Sequence, residues 1–230
     1  MLNSFRLRKE EHGFTLVELV VTMAVFSVIM AIVFAVLIQM MGLTKESVAR
    51  SDSIQQARLG LSQIELQVRS GAVIRNPEAE NVADSGASKF YSMRILTELN
   101  GNPTCAQWRV VDSAGSGRGN LEFRTWDPAY PVVEQVSDWG VVARDLVLVD
   151  VAPEDSSDID PEDAGTWPPF WVDDSVGGDT EAQFVRVTLR LKSAEQSESS
   201  KPTSVTTMVT GRNTVFGNYT DESCSPVPAP

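Results

Sequence analysis

One apolar run constrains the amino-terminal part of this chain. From Leu19 to Ile38 twenty residues carry no formal charge, and only Thr22 and Ser27 break the apolar pattern. As a helix rising about 1.5 Å per residue, the run is roughly 30 Å long, the thickness of a bilayer's hydrocarbon core. Arg6, Arg8, Lys9 and His12 form a short basic leader before it, and Gly13-Phe14-Thr15-Leu16-Val17-Glu18 stands at the junction. A secretory signal peptide has a shorter apolar core, and its small-residue cleavage site follows that core. A plain anchor gives no reason for Glu18, because a carboxylate costs about 2.5–3.5 kcal/mol at a membrane helix centre and less near its end.

Beyond the run the helical period continues. Ile54, Leu61 and Val68 recur every seven residues, with Ala57 and Ile64 between them, while Gln55, Gln56, Arg58, Gln63, Glu65 and Gln67 face away. No proline occurs before Pro77, so one helix is predicted over 15–70, weakened at Gly42 and Gly60 and stopped near Gly71. The remainder reads as strands: 92–99, 106–111, 121–126, 141–151, 184–191 and 204–210. Gly115-Ser-Gly-Arg-Gly119 is a turn between two of them. In 184–191 Val185, Val187, Leu189 and Leu191 alternate with Arg186, Thr188 and Arg190, the period of a strand with one wet face. The expected fold is α+β, a long amino-terminal helix packed on a carboxy-terminal antiparallel sheet.

Charge and composition exclude much. The chain carries 19 Lys and Arg against 31 Asp and Glu, a net charge of −12. Met1–Gly13 holds three of the basic and two of the acidic side chains, so the remainder stands at −13. General nucleic-acid binding is not expected of such a balance. His12 is the one histidine, so the chain beyond it has no imidazole for a catalytic triad or a metal. The glycine-rich turn lacks the Lys-Ser/Thr ending of a phosphate-binding loop. No enzyme activity, cofactor or metal is expected. Calcium is a lesser alternative on the acidic stretch 154–163, with Asp173, Asp174, Asp179 and Glu181 beyond it, but the spacing lacks the EF-hand pattern. Trp167-Pro-Pro-Phe-Trp171 either folds onto the domain or presents a recognition patch. Asn218-Tyr-Thr220 matches a glycosylation sequon. Cys105 and Cys224 read as a disulfide worth about 4–5 kcal/mol by chain entropy, with two free buried thiols as the alternative.

Leader, Gly13, Phe14-Thr-Leu-x-Glu18 and apolar helix, in that order, resemble the prepilin signal of type IV pilins and of type II secretion pseudopilins. The resemblance covers Met1 to about Met41. It implies a membrane-embedded prepilin peptidase that cuts after Gly13 and methylates the new amino terminus at Phe14. It also implies that Glu18, the fifth mature residue, attracts the amino terminus of an incoming subunit; the alternative is a carboxylate solvated by headgroups. Partners would then be the peptidase, other pilin or pseudopilin subunits and cytoplasmic membrane lipid. Many pilins tie the carboxy-terminal region back with a disulfide. The ending 205–213, and Cys105-Ala-Gln-Trp-Arg followed by Leu121-Glu-Phe-Arg-Thr-Trp126, look like segments of minor pilins and J-type pseudopilins. The expected organisation is a leader (1–13), a transmembrane and assembly half-helix (14–41), a soluble amphipathic half (42–71), an extracytoplasmic β-rich domain (72–222) and a flexible proline-rich tail (223–230). The basic flank keeps the amino terminus in the cytoplasm. A minor structural subunit is the expected role; the alternative is an adhesin or a DNA- or substrate-capture module on the same anchor.

Overall fold

The structure, a computed structural model, describes residues 13–98, 101–112, 115–149, 152–172, 184–211 and 223–230. The leader side chains Arg6, Arg8, Lys9 and His12, the carboxylates of 173–181, and the sequon at 218–220 lie outside the described residues, as do Leu99 and Val151 at the ends of two expected strands. The chain divides into two compact units, Met1–Lys45 and Glu46–Pro230.

Helix α1 runs unbroken from Leu16 to Arg69, close to the expected 15–70. In the first unit its apolar side chains stay exposed, among them Leu16, Val20, Phe26 and Phe34. A window of it reaches a mean hydropathy of 2.9 with none of its residues buried, so it is long and apolar enough to cross a membrane. Among the described residues nothing covers this surface, which calls for lipid or other apolar helices.

In the second unit α1 buries Ser53, Ala57, Gly60, Leu61, Ile64 and Val68. Two assignments of the face differ from expectation. Ile54 is only half-buried, with Ser53 and Gly60 on the contact line beside it. Gln67 turns inward, where its Oε1 accepts a 2.7 Å hydrogen bond from the indole of Trp108. Gly60 allows close approach: a Cβ there would stand 2.9 Å from Leu121 Cδ2. Gly71 does not end the helix in a left-handed cap. It opens a strand, and a Cβ on it would meet Ile95 Cγ2 at 2.9 Å and the Val68 carbonyl at 3.1 Å, so packing requires the glycine.

Eight strands follow among the described residues: β1 (Gly71–Ile74), β2 (Ser92–Thr97), β3 (Thr104–Val111), β4 (Arg118–Trp126), β5 (Gly140–Val147), β6 (Phe170–Val172), β7 (Phe184–Leu191) and β8 (Thr203–Thr210). All pairings are antiparallel, in the order β1-β2-β3-β4-β5-β7-β6, with β8 also on β7. Because β8 runs along the whole of one side of β7, β5 and β6 share its other side, touching at Leu146↔Leu191 and around Trp171↔Arg186. The sequence pattern missed β1 and β6. Both are very short, and β6 overlaps the end of the Trp167–Trp171 segment, which folds onto the domain: Phe170 joins the main core and Trp171 is buried with Phe90 and Ile159.

One face of the sheet packs on α1, where Met93, Ile95, Trp108, Val110, Leu121 and Val187 meet Ala57, Leu61 and Ile64. The opposite face was expected to be wet. Instead it is largely covered at β2–β4, because strand alternation places Arg94, Gln107 and Arg124 side by side in register there and none is more than 2% exposed. The tail, for which flexibility was expected, lies against this face, with Cys224 and Pro228 buried.

Candidate functional site

The amino-terminal site is built by the start of α1. Thr15 caps it: its carbonyl accepts from Leu19 N at 3.2 Å and its hydroxyl oxygen from Glu18 N at 3.3 Å. Thr15-Leu-Val-Glu18 therefore has the Thr-x-x-Glu spacing of a capping box, a signal present in the sequence that the reading by resemblance did not use. Glu18 lies in the first turn, where the helix dipole and free N–H groups favour a negative charge. Phe14 and Leu16 are each 81% exposed, so apolar side chains surround the start of the helix without covering it. At Gly13, the first of the described residues, a Cβ would meet no atom within 4 Å among them.

Residues 8–34 match the family model described as the prokaryotic N-terminal methylation motif. The chain carries a prepilin-type signal. This signal takes in Gly13, Phe14 and Glu18 and α1 as far as Phe34, and includes no part of the sheet. Among curated proteins and solved structures, nothing matches the chain. A long helix packed on an antiparallel sheet behind a prepilin-type signal is consistent with a pilin-like α+β fold.

The second functional feature is the disulfide. Cys105 and Cys224 are bonded across 119 residues of sequence, with Cα atoms 5.6 Å apart, and both are buried with Ala72, Leu96 and Trp126 in a small satellite core. Around it lies a charged cluster that the strand-by-strand reading missed, since only the β2–β3–β4 register brings its members together. Glu80 Oε1 accepts from Arg94 Nε at 2.6 Å, and Glu122 pairs with Arg109 at 2.7 Å. Arg124 has no carboxylate within ion-pair distance among the described residues. It donates to Gln107 Oε1 and to the carbonyls of Asp84, Pro228 and Ala229. Its guanidinium, like that of Arg109, stacks on Trp139, at 4.3 and 3.7 Å. Burial, with the charges of Arg109 and Arg94 nearby, pushes the Arg124 pKa down to about 10.

The acidic stretch is occupied with its own turns. Asp155 caps the short 3-10 helix Ser156–Asp158, and Asp158 reaches back to the amides of Glu154 and Asp155. Asp160 and Asp163 each accept from an amide two residues on. No group of three or more metal-ligating side chains gathers among the described residues.

Proposed function

We propose that this chain is a structural subunit of a type IV pilus or type II secretion pseudopilus, cut after Gly13 by a prepilin peptidase and methylated on Phe14. The observation that carries the reading is the exposed apolar helix bearing Glu18 in its first turn, inside the matched signal. The basic leader faces the cytoplasm, α1 holds the precursor in the membrane, and the sheet domain lies outside it. In the fibre the same apolar surface exchanges lipid for the helices of other subunits. Glu18 meets the freed amine of Phe14, on its own chain or on a neighbour, which relieves the cost of a carboxylate in an apolar setting. A large acidic domain suits a minor subunit, at or near the tip, better than a densely repeated one.

The test is intact mass and amino-terminal sequencing of protein from its native membrane, with and without the host's prepilin peptidase. The expected product begins at N-methyl-Phe14 and forms only with the peptidase. An uncut chain, or one cut after Ile38, overturns the reading. Glu18→Ala is then expected to be processed normally yet lost from sheared fibres.

A further inference from the structure

The tail Cys224–Pro230 takes part in no strand, and beyond the cystine it is held chiefly through its carbonyls. Arg94 Nη1 donates to the Cys224 carbonyl at 3.4 Å, and Arg124 donates to those of Pro228 at 2.8 Å and Ala229 at 2.6 Å. The tail ends beside Gly86, where a Cβ would stand 3.2 Å from that of Pro230 and 2.8 Å from Arg109 Nη1. Its composition fits this surface. Pro226, Pro228 and Pro230 have no amide hydrogen, so the segment offers carbonyls to a face rich in guanidinium donors while leaving few N–H groups without acceptors. Proline also restricts the undocked chain, lowering the entropy lost on docking.

Arg94 and Arg109 have carboxylate partners that do not depend on the tail, whereas two of the acceptors of Arg124 belong to it. Among the described residues no carboxylate lies within ion-pair distance of this 2% exposed cation, and beside Gln107, Asp84 and the rings of Trp126 and Trp139 it is the docked tail that supplies two carbonyl dipoles to it. We infer that Arg124, assisted by Arg94, is a docking clamp that seats the tail before the disulfide closes, which makes both arginines positioning residues for the oxidation of Cys105 and Cys224.

The chemistry is thiol–disulfide exchange with an external disulfide oxidant. The Cys224 thiolate attacks one oxidant sulfur, forming a mixed disulfide and releasing one oxidant thiolate. The tail then docks. The Cys105 thiolate, held in β3 between two paired strands, attacks Cys224 Sγ and expels the second oxidant thiolate. The two protons lost by the cysteines appear on two oxidant thiols, and the two electrons reduce the oxidant. The clamp acts on the second step only, by raising the effective concentration of one sulfur at the other.

The experiment uses the full chain in detergent micelles, reduced and then oxidised with glutathione disulfide, with acid-quenched intact mass separating the open, mixed and closed species. Two variants remove the clamp from opposite sides: Arg124→Gln, and a truncation that deletes Pro228–Pro230 and leaves the sheet and both cysteines in place. Each is expected to slow closure and lower its effective molarity by at least about tenfold to a hundredfold, the worth of a single hydrogen bond from a charged donor. Formation of the mixed disulfide should be unchanged. The combined variant should lose no more than either alone, and Arg124→Lys should recover part of the loss. Closure within twofold of the parent in the truncated chain, fully additive losses, or a loss shared equally by the first step would each overturn the inference. If Arg124→Gln does not fold, the truncation decides by itself.

Discussion

Glu80→Gln should destabilise the sheet domain by about 3–5 kcal/mol, although it preserves the size and shape of the side chain. The Glu80 side chain has no exposure; Arg94 Nε lies 2.6 Å and Arg75 Nε 3.4 Å from its Oε1, and Oε2 accepts from Ser92 and Gln107. At 2.6 Å and an effective dielectric of about 20, the attraction to Arg94 is about 6 kcal/mol before desolvation is counted. Glutamine leaves the Arg94 guanidinium buried with a neutral partner, so the loss is electrostatic and involves no cavity. Replacing both charges, as in Glu80→Gln with Arg94→Met, removes the stranded cation and should restore most of the lost stability. All five tryptophans lie between residues 108 and 171, so their fluorescence during urea unfolding of the full chain in micelles reports on this domain alone. The single variant should also melt about 10 °C lower. A loss below about 1 kcal/mol for the single variant, or a double variant no more stable than the single, would refute this account of the cluster.

Three further outcomes are expected. Gln67→Ala strands the buried indole N–H of Trp108 and should cost about 1–3 kcal/mol, while Gln63→Ala on the exposed side of the same helix should stay within about 0.5 kcal/mol of the parent; equal effects in urea unfolding would contradict the inward assignment of Gln67. Replacing both Cys105 and Cys224 with serine should lower stability by about 4–5 kcal/mol, because the bond closes a loop of 119 residues; an unchanged urea midpoint would count against that loop-entropy estimate. Hydrogen bonds from the Ser157 hydroxyl and amide hold the Asp155 carboxyl below its ordinary value of 3.8, so its contribution to the 154–159 turn is present above that pH and is lost as pH falls through the lower folded value; a carbon-detected titration midpoint at or above 3.8 would show that the cap does not form.

Much of the architecture was legible along the chain because it depends on local order. The uncharged run Leu19–Ile38, the prepilin-type signal before it, and the absence of proline before Pro77 are properties of contiguous residues, and they determine the helix and the class of protein. Alternation identified β7 for the same reason, since neighbours along a strand decide which side chain faces which side. The cysteine pair was a matter of counting, but its environment was not.

What only the tertiary structure decided is where polar residues go once strands are paired. Arg94, Gln107 and Arg124 look like exposed positions when each strand is read alone; register sets them side by side, and the tail then covers them. Gln67 reads as solvent-facing until Trp108 is brought against the helix, and Gly71 marks the end of α1 as expected, but that it has no room for a side chain shows only once Ile95 is placed beside it. Periodicity along the sequence specifies which face of its own element a residue occupies. Burial depends on what the rest of the chain lays over that face, and here that is decided by contacts between residues as far apart as Arg124 and Ala229.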